Sequence, residues 1–189
     1  MSTKNRWLRC SGITSKHIRL LLRDTVVLNN TKLITLTPAE ATSYYKNINK
    51  LSSTQNKTKL LRLLHGDVYC GTRLKEFKLT EFDTCIRCFE KETIKHLLLE
   101  CPYTRDVWGT LGVNYSHSKN VIGIGESREE LEIRADFLSA IVFRKGNLPP
   151  NTLINMTYLK FSKGLCKNNK VKELAKEKIE HYNNTGRWN

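Results

Sequence analysis

The sequence predicts a mostly α-helical fold, a small bundle stapled near its middle by a group of cysteine and histidine residues. Apolar residues recur at the spacing of one helix face through most of the chain. Two Ser/Thr-x-x-Glu patterns, at Thr37 and at Ser127, are typical of helix starts. The short segments that could be strands do not make a sheet core. With 39% hydrophobic and 26% charged residues among 189, a modest packed core is expected.

The N-terminal residues permit two interpretations. The first dozen residues have little periodicity and are expected to form a mobile basic arm. Apolar residues within 15–28 share one helical face, which predicts a short helix. The end of that stretch could instead pair as a strand with residues 32–36, so helix and hairpin both remain open.

The first helix after this region has a complete start signal. Thr37 is a suitable N-cap, Pro38 takes the first helical position, and Glu40 completes a capping box. The helix is predicted to run to about residue 51. The polar, unperiodic stretch 52–56 is then predicted to mark an internal boundary.

Two helices joined by a tight corner are predicted next. Leucines give 57–65 an apolar face, and Gly66 ends that helix. Asp67 is expected to cap the following helix, which runs to about residue 77. His65 and Asp67 could be proposed as an acid–base pair, but positions at helix ends explain both without catalysis.

Four metal-ligand side chains follow one another with the spacing Cys85-x2-Cys88-x7-His96-x4-Cys101. Three thiolates and one imidazole are a ligand set that closes a tetrahedral structural zinc site without an open coordination position. Disulfides are disfavoured because no secretory signal is recognisable and because the remaining cysteines have no partner spacing. These remaining cysteines are Cys10, Cys70 and Cys166.

The surrounding residues favour the same site. Thr93 is a suitable N-cap for a short helix over 94–100, and Glu92 places a carboxylate near its positive end. Pro102 indicates that the helix has already broken at Cys101. The ligands are therefore expected to come from both ends of this helix.

A helix opened by Pro102 is predicted after the metal ligands. Its Trp108 is expected to pack against the leucines at 97–99 rather than to stack on a nucleic-acid base. Residues 112–126 are predicted to form a loop with a short apolar piece. His117 in that loop is a weak candidate for a fifth ligand, which a closed quartet does not need.

Three further helices complete the prediction. Ser127 starts one that lasts until Gly146. A second, over 151–163, is apolar on most sides, so it should be deeply packed, and Gly164 ends it. The last, over about 169–182, is amphipathic, and the residues after it, 183–189, should fray.

The net charge of +14 is unevenly distributed. Residues 1–37 carry seven basic and one acidic side chain, and residues 38–80 carry eight and three. Residues 81–111 have four basic and six acidic side chains, 112–145 have five of each, and 146–189 have eight and three. Basic segments that flank a slightly acidic centre suggest attraction to a polyanion, most often nucleic acid. Solvated lysine-rich helix faces without a partner are the alternative explanation.

Lysines near the C-terminus are the candidates for contacts to the phosphate backbone of RNA or DNA. They are Lys160, Lys163, Lys167, Lys170, Lys172, Lys176 and Lys178. No apolar run approaches the roughly 18 to 20 residues of a membrane span, so no membrane partner is expected. An intracellular location, in nucleus or cytoplasm, is predicted.

The run LLRLLHGDVYCGTRLKEFKLTEFDTCIRCFEKETIKHLLLECPYTRDVW resembles the reverse-transcriptase zinc-binding domain, which lies downstream of the polymerase in non-LTR retrotransposon polyproteins. The CxxC pair, the ETxxHLLLEC block and the HGDVY turn carry this resemblance over about residues 57–112. It implies that Cys85, Cys88, His96 and Cys101 are the metal ligands. It also implies assistance to target-primed reverse transcription.

The resemblance does not imply a catalytic centre in this chain. The chain has no Asp-Asp pair and no spaced carboxylates typical of a polymerase, RNase H or endonuclease. A non-enzymatic piece of a larger retroelement protein, or a short reading frame that retains its zinc-binding part, is therefore expected.

Three regions are predicted: a basic N-terminal extension with one or two helices over 1–55, the zinc-binding core over 56–112, and a helical C-terminal region with a basic last helix over 113–189. The predicted function is a zinc-stabilised nucleic-acid-binding module. The alternative is a zinc-scaffolded protein-interaction module, since the zinc core itself is slightly acidic.

Overall fold

Helices make up most of the computed structural model, which describes residues 34–143, 148–165 and 168–188. No β-strand occurs among these residues, so the predicted mostly helical fold is confirmed. The α-helices are α1 (Pro38–Lys50), α2 (Thr54–Leu64), α3 (Gly71–Glu76), α4 (Pro102–Thr110), α5 (Ser118–Ile122), α6 (Arg128–Leu138), α7 (Pro150–Lys160) and α8 (Asn169–Thr185). Three π-helical turns are π1 (His96–Glu100), π2 (Ser139–Phe143) and π3 (Phe161–Leu165).

The predicted N-terminal elements lie outside the described residues. These are the basic arm, the helix over 15–28 and most of the alternative strand at 32–36. Contacts divide the chain into two units, Met1–Thr31 and Lys32–Asn189, and everything described below belongs to the second. None of the described helices has the length and apolar composition that crossing a bilayer requires.

Both predicted capping boxes are present. At the start of α1, the Thr37 amide donates to the Glu40 carboxylate at 2.7 Å, and the Glu40 amide donates to Thr37 Oγ1 at 3.3 Å. Ser127 and Glu130 make the same exchange at the start of α6. Glu40 also receives a 2.8 Å bond from Lys119. This bond, together with the cap, lowers the pKa of Glu40 to about 2.

The corner between α2 and α3 differs from the prediction. Helix α2 begins three residues early, at Thr54 with Ser53 as N-cap, so the polar linker is short. Helix α3 begins at Gly71, and Asp67 does not cap it. The Asp67 carboxylate is instead shared by Arg62 and Arg73, at 3.2 and 3.1 Å. Two nearby guanidinium groups outcompete the backbone for this carboxylate.

Trp108 is fully buried, as predicted. It lies in α4, which Pro102 opens, and its indole N–H donates to the Leu98 carbonyl at 2.9 Å. It belongs to one hydrophobic core cluster that extends along the chain from Ile34 to Trp188. The zinc-ligand segment is therefore fixed to the main core through Leu97, Leu98 and Trp108.

The segment predicted as the loop 112–126 contains a helix. Helix α5 buries Val121 and Ile122, and the Tyr44 hydroxyl donates to the Ile122 carbonyl at 2.6 Å. Burial of this apolar pair, rather than a cap signal, explains the helix.

Two α-helices continue directly into π-helical turns. Helix α6 passes into π2, and its predicted end at Gly146 lies outside the described residues. Helix α7 passes into π3, so Gly164 lies inside this helical segment and does not end it. The expectation that α7 is buried on most sides is wrong in part: Met156 is 56% exposed, although Ile154 and Tyr158 are buried.

The C-terminal residues do not fray as predicted. Helix α8 continues to Thr185, and Trp188 beyond it is only 1% exposed. The Trp188 ring stacks on Tyr182 at 4.0 Å and on Tyr158 at 5.2 Å between centroids. Its N–H donates to the Asn151 side chain at 3.3 Å. Three aromatic rings thus hold the end of the chain against α7.

Candidate metal centre

A tight hairpin brings the first two cysteines together. The Cys85 amide donates to the Glu90 carbonyl at 2.7 Å, and the Phe89 amide donates to the Cys85 carbonyl at 2.9 Å. Thr84 and Lys91 form an antiparallel bridge at its base. The hairpin closes through Phe89, whose φ of +64° is left-handed. This reversal lets the Cys85 and Cys88 sulfurs point to one centre.

A π-turn supplies the other two ligands. The Thr93 hydroxyl accepts the His96 amide at 3.0 Å, which confirms Thr93 as the cap of the helical segment. Five residues along a regular α-helix rotate a side chain about 140° beyond a full turn. Here the Cys101 amide bonds the His96 carbonyl at 2.8 Å, the five-residue bond of a π-turn. The wider turn keeps Cys101 beside His96.

The four ligand atoms form a compact cluster. Cys85 Sγ lies 4.0 Å from Cys101 Sγ, and Cys88 Sγ lies 3.2 Å from His96 Nε2. All four atoms lie within 4.8 Å of one another. Ligand atoms of a tetrahedral zinc are about 3.5 to 3.8 Å apart, given zinc–sulfur bonds of about 2.3 Å and zinc–nitrogen bonds of about 2.0 Å. The cluster therefore fits a single zinc ion.

The electrostatics of the cluster also favour a cation. Cys85, His96 and Cys101 are buried, and Cys88 is half-buried. Desolvation, together with the adjacent Cys85 and Cys101 sulfurs, raises the pKa of the Cys88 thiol to about 11. Crowded thiolates repel one another unless a positive ion lies between them. Zn²⁺ supplies that charge and is bound best by such sulfur and imidazole ligands.

The cluster contains the four predicted ligands and none of the other described cysteines or histidines. Cys70 is a buried free thiol that lies apart from it, and no disulfide occurs among the described cysteines. His117, the weak fifth candidate, takes the N-cap position of α5 instead.

Glu92 supports the hairpin in a way that the sequence did not reveal. It was expected near the positive end of the helix after Thr93. Its buried carboxylate instead accepts the Gly71 amide at 2.7 Å, at the start of α3. The Glu92 carbonyl also accepts the amide and hydroxyl of Thr72, both at 3.1 Å. The N-terminus of α3 is thereby fixed to the residue directly after the hairpin.

Arg87, between the two hairpin cysteines, is a further support. Its guanidinium lies 4.4 Å from the Tyr103 ring centroid and donates to the Ile141 carbonyl at 2.9 Å. These contacts join the hairpin to α4 and π2. Both partners are distant in sequence, so no local pattern predicts them.

The predicted phosphate-contacting lysines differ in their surroundings. Lys160 pairs with Asp136 at 2.6 Å, Lys178 lines a cleft of about 110 Å³ beside Trp188, and Lys167 lies outside the described residues. Lys163 in π3 is exposed. On α8, Lys170 and Lys176 are exposed and Lys172 is half-buried.

Residues 34–108 match the family described as zinc-binding in reverse transcriptase. No curated protein and no solved structure is significantly similar to the chain. The matched range contains the whole Cys85, Cys88, His96 and Cys101 cluster. Residues 34–108 are therefore similar to the reverse-transcriptase zinc-binding family, and they contain a cluster that could hold a metal ion.

Proposed function

We propose that the chain binds nucleic acid, with zinc holding its central segment rigid and with basic residues outside the hairpin in contact with phosphates. The observation that carries this proposal is the contrast between two groups of cations. The arginines beside the zinc ligands, Arg87 and Arg105, are engaged within the fold, whereas Lys163, Lys170 and Lys176 on the C-terminal helices face solvent.

Both arginines near the zinc ligands have protein partners within the fold. Arg87 stacks on Tyr103, and Arg105 donates to the Leu99 carbonyl at 3.0 Å. The lysines of this segment are less engaged, since Lys91 is exposed and the pair of Lys95 with Glu100 is itself partly exposed. Arg87 and Arg105 would have to leave their partners before they could bind phosphate.

Helix α8 presents cations outward because its apolar side is buried. Val171 and Ala175 have no exposed surface, which turns Lys170 and Lys176 to the opposite side. Glutamates share that side, and Lys176 is paired with Glu173 at 2.9 Å, although both side chains are more than half exposed. An exposed pair of this kind is weak, so a phosphate can compete for the lysine.

A catalytic role is not part of the proposal. Four protein ligands fill a tetrahedral zinc site, and a water or substrate then has no coordination position. The zinc is assigned to structure, and the reverse-transcriptase relationship of residues 34–108 supports an accessory role beside a polymerase.

Changing Lys170, Lys172 and Lys176 together to Gln tests the phosphate contacts. Each contact to duplex DNA contributes roughly 0.9 to the slope of log affinity against log salt, so the slope should fall by up to about 2.7. Binding to labelled duplex DNA, single-stranded RNA and a polyanion without bases is measured over a salt series. Weakening that is independent of sequence identifies the contacts as phosphate contacts.

Three exposed lysines elsewhere provide a control with the same change in net charge. Lys46, Lys50 and Lys91 lie on α1 and beside the hairpin. Their replacement by Gln should leave the slope almost unchanged. If the two triple variants have equal effects, overall charge alone explains the attraction. That result would contradict a defined binding surface on α8.

A protein-interaction module is the second candidate function, because the hairpin exposes apolar side chains. Ile86 is 61% exposed and Phe89 is 79% exposed, in a segment with more acidic than basic residues. Such a tip suits a protein surface better than a phosphate backbone. Failure of the unmodified chain to bind any of the three polyanions at low salt would favour this candidate.

A further inference from the structure

A second cationic surface, rich in aromatic rings, lies on α2 and α3 and does not include the lysines discussed above. The Arg62 guanidinium lies 4.9 Å from the Tyr69 ring centroid and 5.6 Å from that of Phe143. Lys59 Nζ lies 5.7 Å from the Phe143 centroid. Cations and rings therefore alternate along this surface.

Asp67 extends the series to α3. Its carboxylate joins Arg62 to Arg73, and the Arg73 guanidinium lies 5.5 Å from the Phe77 ring centroid. We call this series the aromatic–arginine surface. It consists of Lys59, Arg62, Tyr69, Arg73, Phe77 and Phe143.

Two rings of this surface remain accessible. Tyr69 and Phe77 are each 52% exposed, although an arginine lies over each ring. About a third of the surface of the Arg62 and Arg73 side chains is exposed to solvent, 29% and 31% respectively. Because both arginines share the single Asp67 carboxylate, the surface stays net positive. The cations hold the rings in place, so stacking on their open sides costs little side-chain entropy.

We propose that the aromatic–arginine surface binds an unpaired nucleic-acid strand, an inference that rests on the proposed nucleic-acid binding. Bases stack on Tyr69 and Phe77, and the net positive charge of the surface attracts the phosphates without breaking the pairs to Asp67. An aromatic ring stacks on the face of any exposed base, which an intact duplex hides between neighbouring base pairs. Single-strand sites combine a positively charged groove with such stacking rings. This surface thus selects single strands, whereas the α8 lysines contact phosphates of either form.

The test compares three labelled ligands of about 12 nucleotides: a single strand, the same backbone with abasic sites, and a duplex. Tyr69→Ala and Phe77→Ala should each weaken single-strand binding about 5- to 10-fold, and abasic-strand and duplex binding less than about 2-fold. The salt slope should not change, because stacking displaces no counterions. Tyr69→Phe, which keeps the ring, should bind like the unmodified chain.

The matched control is Tyr115→Ala, which removes a tyrosine that is 38% exposed and lies on another segment. It should leave all three affinities unchanged, and melting curves verify that each variant is folded. The inference is overturned if both alanine variants bind the single strand normally, or if they lose abasic-strand and duplex binding equally. If the unmodified chain binds none of the three ligands, the proposed nucleic-acid binding fails as well. Normal binding by the unmodified chain together with unaffected alanine variants overturns only the role of this surface.

Discussion

At the scale of single residues, Gly71 is where α3 meets the zinc hairpin. A Cβ atom on Gly71 would lie 2.9 Å from the Asp83 carbonyl carbon, closer than backbone atoms tolerate. The Gly71 amide bonds Glu92 on the same side. The requirement for glycine here comes from close backbone approach, because its φ is not in the left-handed region.

Gly71→Ala should destabilise the chain by about 1 to 3 kcal/mol, because the added methyl pushes the α3 N-terminus away from the Asp83 backbone. The free energy of unfolding from urea titration measures this effect. The control is Gly109→Ala in α4, where nothing lies within 4 Å of the new Cβ atom. That change should stabilise by about 0.5 to 1 kcal/mol, as Ala does in helix interiors. Equal effects of both variants would contradict the close approach.

Single residues also show which side-chain roles a sequence can predict. The capping boxes at Thr37 and Ser127 were predictable because donor and acceptor lie three residues apart. Asp67 is an equally good cap by the same local rule. Its role in the structure depends on Arg73, which reaches it only after the chain has turned at Gly66.

At the scale of elements, π-turn geometry decides how the ligand set closes. The predicted positions of His96 and Cys101, in the first turn and just past the end of a short helical segment, are confirmed. The five-residue hydrogen bond between them was not predicted, because helix periodicity gives no signal for a single wide turn. Helix α5 and the packed position of Trp188 were missed for another reason, because both depend on contacts with residues that are distant in sequence.

The final residues form an aromatic anchor for α8. Trp188→Ala should lower the free energy of unfolding by about 3 kcal/mol, because it removes a buried indole from between Tyr158 and Tyr182. Trp188→Phe keeps a ring and loses only the bond to Asn151, so its effect should be nearer 1 kcal/mol. Thermal melting followed by circular dichroism provides the comparison. A Trp188→Ala variant as stable as the unmodified chain would restore the original expectation of a frayed end.

At the scale of the whole molecule, the Cys85, Cys88, His96 and Cys101 cluster brings the hairpin next to the helical segment that follows it. Leu97 and Leu98 belong to the main core, whereas the hairpin exposes Ile86 and Phe89. Contacts of Glu92 and Arg87 support the hairpin, and two of its large apolar side chains remain exposed. The four ligands were predictable because their side-chain chemistry and spacing are local, but the two supports depend on tertiary contacts.

The measurement that tests the central claim most directly is the ratio of zinc to protein in freshly purified chain. We predict one zinc per chain, none in a Cys85→Ser, Cys88→Ser double variant, and an unchanged ratio in Cys70→Ser, whose buried thiol lies outside the cluster. Because zinc-binding energy is also folding energy, the double variant should melt at a lower temperature. Metal-free unmodified protein, or full zinc content in the double variant, would contradict the structural zinc centre.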